Sequence, residues 1–401
     1  MRTVLNTVDM KIGNMLLLYA TLRRKGLMSK RDLSSRTGLS FASVSNACNQ
    51  LASWNLLKLH EAMTSTGGRK AATLSINENY AYSFVIDLHH THVMYVGLAD
   101  LYNNVFEKRA APIYENDSLD SLLKRISEEC HAIADNSGAR IFGMCVGISA
   151  VQNNDVVLQS NISCLEGVNL KRHLSELFPE MMIVVENDAN LSALSQIMQA
   201  ENTQKNLLFI FLSEGVGLGI VINGSLYKGS NGFAGELGHM KVTGVDKRCK
   251  CGSMGCIRMV ATLGSIAADL GEYDVLRKMD HVQEYAATLH TRFVQNVSNV
   301  KKRVILCGQK IGEVCAALYD IFNPQEILIG GDMGILFSDL DPIIRQQCRS
   351  MSKLARYTDL QVSFLETPTE DLIMKGAGEW VCHMWEQNEL GHVIQQLLHN
   401  K

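Results

Sequence analysis

Glu236-Leu-Gly-His239, followed by Cys249-Lys-Cys251-Gly-Ser-Met-Gly-Cys256, forms a His-x9-Cys-x-Cys-x4-Cys array. One imidazole and three thiolates complete the ligand set of a tetrahedral structural Zn²⁺ site, with no position left for a catalytic water. The alternative is four unrelated residues in a chain of 11 cysteines. Clustering of three cysteines around Gly252 and Gly255, where a knuckle must turn, favours the metal. The reading assigns one structural Zn²⁺ per chain to His239, Cys249, Cys251 and Cys256.

Working outward, 401 residues with 46% hydrophobic content suggest two or three packed domains. The longest apolar runs, Met15 to Tyr19 and Leu207 to Leu212, fall far below the ~18 residues of a spanning helix. Met1 to Met10 lacks the apolar core of a signal peptide. The expectation is no membrane association and a cytoplasmic location. Isolated cysteines in apolar surroundings (Cys130, Cys145, Cys307, Cys315) fit core packing in a reducing compartment.

Charge is uneven. Residues 1–78 hold 11 Lys or Arg against 4 Asp or Glu, whereas the whole chain is −3. A basic head on an acidic body suits phosphate neutralisation, although many solvated surfaces are equally positive. Ser29-Lys-Arg-Asp32 has the form of a capping box, opening a helix over Arg31 to Thr37 that stops at Gly38. Ser40 caps a second helix, with Val44, Ala47, Cys48 and Leu51 as its buried stripe. The outward positions are Phe41, Ala42, Ser43, Ser45, Asn46 and Asn49. Two short helices joined by a glycine turn, the second small and polar outside, suit entry into the major groove of double-stranded DNA. Without Arg or Lys on that face, Asn46, Asn49 and apolar contacts to thymine are left to read bases. Leu56 to Leu59 and Ala72 to Ile76 read as strands flanking Thr66-Gly67-Gly68-Arg69-Lys70, a wing whose Arg69 and Lys70 meet phosphate or minor groove. Taken singly, that segment is equally an ordinary basic turn. The DNA-facing set is Ser40, Phe41, Ser43, Ser45, Asn46, Asn49, Arg69 and Lys70.

From Phe84 the pattern becomes α/β. Strands are expected at Phe84 to Asp87, Val93 to Ala99, Ile141 to Ile148, Met182 to Val185, Leu207 to Phe211, Gly219 to Ile222, Val304 to Cys307 and Ile327 to Ile329. Helices are expected at Leu119 to Ala134, Ala189 to Met198 and near Ala377 to Gln387.

The head, the segment Gly215-Val-Gly-Leu-Gly219 through Gly224, Gly229 and Ala234-Gly-Glu-Leu-Gly-His239, and the cysteine array resemble the ROK family (repressors, open reading frames and sugar kinases) over nearly the whole chain. The resemblance implies an N-terminal winged helix-turn-helix (1–78) and an actin-like, ribonuclease H-like body with a sugar and ATP cleft. The body divides into a first lobe (79–187) and a second (188–401), the terminal helix returning to the first. Members with such a head regulate carbohydrate genes. Glu186-Asn187-Asp188-Ala189-Asn190 looks like the family's E-N-D-A-N motif, in which Asn binds sugar hydroxyls and Asp is the kinases' base. By itself, Asp188 also reads as a helix cap.

The phosphate loops depart from the kinase pattern. D-x-G-G-T is Asp87-Leu88-His89-His90-Thr91 and G-T-G is Ser213-Glu214-Gly215. Two imidazoles fill a backbone cradle, and a carboxylate stands where phosphate oxygens approach. The alternative makes His89 and His90 exposed turn residues of no consequence. The sugar end keeps Asn187, Asp188, Glu236 and His239, with Asn161 a weaker match, while the family's G-C-x-E glutamate is Arg258. A guanidinium there suits an anionic sugar. Equally, Arg258 could pair with Glu236 and close the pocket.

Together these readings describe a DNA-binding transcriptional regulator, a repressor in sign, acting as a homodimer or homotetramer. Its degenerate kinase body senses a sugar or anionic sugar through Asn161, Asn187, Asp188, Glu236, His239 and Arg258, with no phosphoryl transfer. An active ROK sugar kinase carrying a DNA-binding head is the rival. A constitutive architectural protein with an empty cleft is a third reading.

Overall fold

The computed structural model describes residues 7–60, 64–65, 68–69, 72–138, 140–197, 205–277, 279, 282–358 and 361–399. Three helices and a small sheet form the N-terminal part. Thr7–Lys25 buries Met15, Leu18, Tyr19 and Leu22, spaced along one helical face. Lys30–Thr37 opens on a capping box between Ser29 and Asp32 and ends at Gly38 in the left-handed region (φ 72°). Phe41–Ser53 is capped by Ser40 and buries Val44, Ala47, Cys48 and Leu51. Strand Thr73–Ile76 lies between Met28–Ser29 and Leu57–His60, antiparallel to both. Gly68–Arg69 pairs with Thr64–Ser65, whereas Thr66, Gly67 and Lys70 of the expected wing lie outside the described residues.

The body repeats one topology. In space, the first sheet runs Met182–Asn187, Ile141–Ile148, Tyr82–Leu88, Val93–Ala99 and Val105–Pro112. The second runs Ser225–Leu226, Val216–Ile222, Leu207–Leu212, Glu326–Gly330 and Val362–Phe364. In each, the earliest strand is central, antiparallel to the next strand in sequence and parallel to the fourth. Two helices lie between the sheets. Thr369–Asn388 presses Ile373, Ala377 and Val381 toward Val85 and Cys145 of the first sheet. Asp188–Leu194 packs on the second, where a Cβ at Gly219 would stand 2.4 Å from the Ala189 carbonyl oxygen. That glycine lets strand and helix backbones touch.

Two sequence expectations need correction. Val304 to Cys307 is not a strand: it lies inside the 25-residue helix Ser298–Phe322. Val300, Val304, Cys307 and Ile311 repeat at helical spacing along its buried side, a longer period than four residues reveal. The helix expected near Ala377 to Gln387 is longer, spanning Thr369–Asn388, and a further helix, Leu390–His399, follows it. No helix among the described residues is long and apolar enough to cross a membrane.

The head does not stand apart from the body. Tyr19, Leu22 and Leu51 share one apolar cluster with Cys382, Trp385, Leu390 and Ile394. Within it, Arg23, 2% exposed, donates to both carboxylate oxygens of Glu379 at 2.8 and 2.9 Å and to Glu386 at 2.5 Å.

Candidate functional site

Between the lobes lies a cavity of about 480 Å³, within the ~300–1,000 Å³ common for small-molecule sites. Asn161, Asn187, Asp188, Glu236, His239 and Arg258 all line it. Asn187 ends the first sheet and caps the following helix: its Oδ1 accepts from the N–H of Ala189 and Asn190, and its Nδ2 donates to the Ala150 carbonyl. The alternative that made Asp188 the cap is therefore corrected. Asp188 is the first helical residue, accepting from the Ala189 N–H at 2.8 Å, almost wholly buried beside the cavity. Burial pushes its pKa up to about 6, against the opposing pull of His89 and the Ala189 N–H. Glu236, on the rim, is also raised by loss of solvent, with His239 and Arg258 pulling the other way.

Arg258 makes no ion pair with Glu236: among the described residues no carboxylate lies within salt-bridge distance of its guanidinium. The closed-pocket alternative is not the arrangement seen. Asn161 is exposed and donates to Ser149 Oγ at 3.3 Å.

Two cavity residues carried no assignment from sequence. Lys228 reaches Glu186 at 2.7 Å and lies over the Trp380 ring, 5.7 Å from its centre. Glu186 in turn accepts from Asn190 Nδ2 at 2.9 Å. Glu186 heads the quoted motif and was visible in principle. Lys228 lies just past the short strand Ser225–Leu226, with no local pattern around it.

The cysteine array lies beside the turn that bears His239. His239 Nδ1 is 3.8 Å from Cys249 Sγ, and Cys251 Sγ is 3.6 Å from Cys256 Sγ. A tetrahedron with Zn–S near 2.3 Å and Zn–N near 2.0 Å spaces its ligands by about 3.5–3.8 Å, so the four residues fit a zinc ion. All four ligand atoms lie within 4.8 Å of one another. Lys241 Nζ lies 2.8 Å from Cys256 Sγ. The Ile257 N–H donates to the Met240 carbonyl, so the array joins the turn bearing His239 to the turn bearing Arg258.

Where the family resemblance would place a nucleotide, His89 and His90 are 2% and 5% exposed, which overturns the exposed-turn alternative. His89 Nδ1 bonds both oxygens of Asp87, at 2.8 and 2.7 Å. Across the lobes stands Asp332, bonded by Ser213, Thr369 and Gln283. Burial disfavours charge on His89, but Asp87 and Asp332 outweigh it and raise its pKa well above the ordinary value. Burial likewise raises Glu214, whose Oε1 is 3.4 Å from Thr91 Oγ1.

On the head, Phe41, Ser43, Asn46 and Asn49 are exposed and Ser45 is half-buried. Ser40 Oγ is occupied as the cap, accepting from the Ser43 N–H at 3.1 Å. Lys30, unassigned from sequence, extends onto this face, its Nζ donating to Asn49 Oδ1 at 2.7 Å and Ser45 Oγ at 3.2 Å.

A duplicated five-stranded sheet with helices between and a polar interlobe cleft defines an actin-like, sugar-kinase-type fold. The ROK family model matches residues 85–366, and the chain belongs to that family. The xylose repressor of Bacillus spizizenii is 26% identical over 364 residues, covering 90% of this chain and 91% of its own. The Escherichia coli dual regulator NagC is 24% identical over 363 residues, 86% of each chain. A solved ROK transcriptional regulator, a homologue of the E. coli MLC protein, superposes with TM-score 0.77 at 21% identity, covering 97% of this chain and 99% of its own. A Streptomyces griseus ROK glucokinase solved with glucose and AMPPNP gives 0.60 at 18%, covering 75% and 99%. At these identities the two structures speak for the fold alone.

Proposed function

We propose that the protein is a sugar-responsive transcriptional repressor whose kinase-like body senses and does not phosphorylate. The observation that carries this reading is the asymmetry of the cleft. Its sugar end is an open cavity lined by Asn187, Asp188, Glu236 and His239, whereas its nucleotide end is packed with His89, His90 and Asp332. Relatives matched over 90% and 86% of the chain are named xylose repressor and N-acetylglucosamine repressor.

In this reading residues 1–78 are a winged helix-turn-helix head, 79–187 the first lobe and 188–401 the second. Phe41, Ser43, Ser45, Asn46 and Asn49 face the major groove of an operator, with Lys30, Arg69 and Lys70 on phosphate or minor groove. Zinc at His239, Cys249, Cys251 and Cys256 would be structural, holding Glu236, His239 and Arg258 toward the ligand. An unpaired guanidinium at the cavity favours an anionic sugar, a sugar phosphate or sugar acid, over a neutral one. Ligand binding shifts the lobe arrangement, and so the spacing of two heads in a cytoplasmic homodimer or homotetramer.

Calorimetry on the full-length protein tests this. An anionic sugar binds, Arg258→Ala removes that binding, and ATP with magnesium gives no heat. ATP consumption dependent on sugar and lost in Asp188→Ala would restore the kinase reading.

A further inference from the structure

The packed nucleotide end poses a problem of charge. The side chains of Asp87 and Asp332 are 0% exposed, and among the described residues no lysine or arginine reaches ion-pair distance of either. Two carboxylates taken from water require a cation or strong donors in return. Asp87 is served by His89 Nδ1. Asp332 takes neutral donors from Ser213, Thr369 and Gln283, and the cationic partners left to face it are the two imidazoles.

Geometry narrows the choice of cation. His89 Nε2 is buried with no hydrogen-bond partner and points to Asp332, whose Oδ2 is 3.8 Å away. His90 Nε2 stands 3.9 Å from Asp332 Oδ1. Both separations exceed a hydrogen bond of about 2.7–3.2 Å, so a proton on His89 Nε2 would have no acceptor. Two ligands on a tetrahedral ion with bonds of about 2.0–2.2 Å stand ~3.3–3.6 Å apart, so closing on an ion asks these atoms to move by only a few tenths of an ångström. One atom from each of the three residues lies within 4.8 Å of the others. Asp87 occupies His89 Nδ1, which leaves Nε2 as the nitrogen that would meet a metal ion, the carboxylate–imidazole arrangement that supports metal-bound histidines.

We propose that His89, His90 and Asp332 bind a second divalent metal ion, separate from the cysteine array, that clasps the two lobes together. Two imidazoles and one carboxylate select a first-row transition ion such as zinc over magnesium or calcium, which take oxygen ligands. Gln283 Nε2, 3.0 Å from both His90 Nε2 and Asp332 Oδ1, would present Oε1 to the ion after an amide turn and complete four ligands. Ser213 and Thr369 orient the carboxylate. The clasp follows from topology: His89 and His90 succeed the central strand Tyr82–Leu88 of one sheet, and Asp332 succeeds Glu326–Gly330 of the other.

The test is metal counting on full-length protein stripped, reloaded with zinc or cobalt and desalted. Two ions per chain are expected. His90→Gln should lose one and keep the cobalt–thiolate charge-transfer band of the cysteine array. Cys251→Ser should lose that band and keep the weaker ligand-field bands of a nitrogen and oxygen site. Asp87→Asn, which leaves every ligand in place, should weaken the second site ~10–100-fold. If His90→Gln fails to fold, cobalt titration of the unaltered protein decides, because a second equivalent without thiolate character is required. A single ion with thiolate character only, or unchanged content in His90→Gln, overturns the clasp and leaves protonated His89 as the cation. A missing thiolate band would count against the cysteine array alone.

Discussion

Gly376 lies against the backbone of Leu191, so close that a Cβ on the glycine would stand 1.8 Å from the leucine carbonyl oxygen. The contact joins the helix that begins at Asp188 in the cavity wall to the long helix that carries Glu379 beneath the head. Under the proposed ligand-sensing role, a movement of the first helix would pass directly to the second.

Gly376→Ala is expected to destabilise the protein by about 1–3 kcal/mol, because overpacking against a backbone atom outweighs the ~1 kcal/mol that alanine normally gains within a helix. Chemical denaturation measures it. A more stable variant would show that the two helices are free to separate.

Asp188 makes stability depend on pH. Its folded pKa of about 6 lies above the ordinary carboxylate value near 3.9, so the folded state holds the proton more tightly. Stability is then fullest below about pH 4 and declines as pH rises through the window to about 6, by roughly 1–3 kcal/mol. Asp188→Asn should flatten that decline. Parallel curves for the two proteins would remove Asp188 as its source.

For DNA, Lys30→Ala should lower affinity for all sequences and reduce the salt slope by about one, as should Arg69→Ala. Asn49→Ala should change discrimination between sites instead. Because Lys30 holds Asn49 Oδ1, the Lys30 variant should also carry a small change in discrimination. A shift in neither slope nor preference would place DNA on another face.

Cys251→Ser should lower zinc content and, by loosening the turns bearing His239 and Arg258, weaken anionic sugar more than operator DNA. Elemental analysis beside the two titrations checks this. Equal losses in both would mean general unfolding.

The parts legible in the sequence are those written locally. Ser29 with Asp32, and Ser40 before Val44, announce their helices because caps act over three residues. The motif residues Asn187 and Asp188 carry their meaning in adjacent letters. Strand Val105–Pro112 was missed because it is an exposed edge, with Glu107, Lys108 and Arg109 where alternation should be. Lys30, Lys228 and Asp332 gained their roles only from folding, since their partners are distant in the chain or on another element. Lys228 and Glu186 are 42 residues apart, and Ser213 and Asp332 119.

The buried bond of Arg23 to Glu379 and Glu386 bears on how such proteins exchange their heads. On the proposed boundary the head ends near residue 78, and a gene fusion at that point looks clean. Energetically the seam runs elsewhere, through the last helices, where Cys382, Trp385, Leu390 and Ile394 complete the head's own core. A chimaera that takes the first 78 residues alone would leave two carboxylates without their guanidinium and an apolar face in water. Recombination within this architecture must therefore move both ends of the chain as a unit, coupling operator choice to the C-terminal sequence.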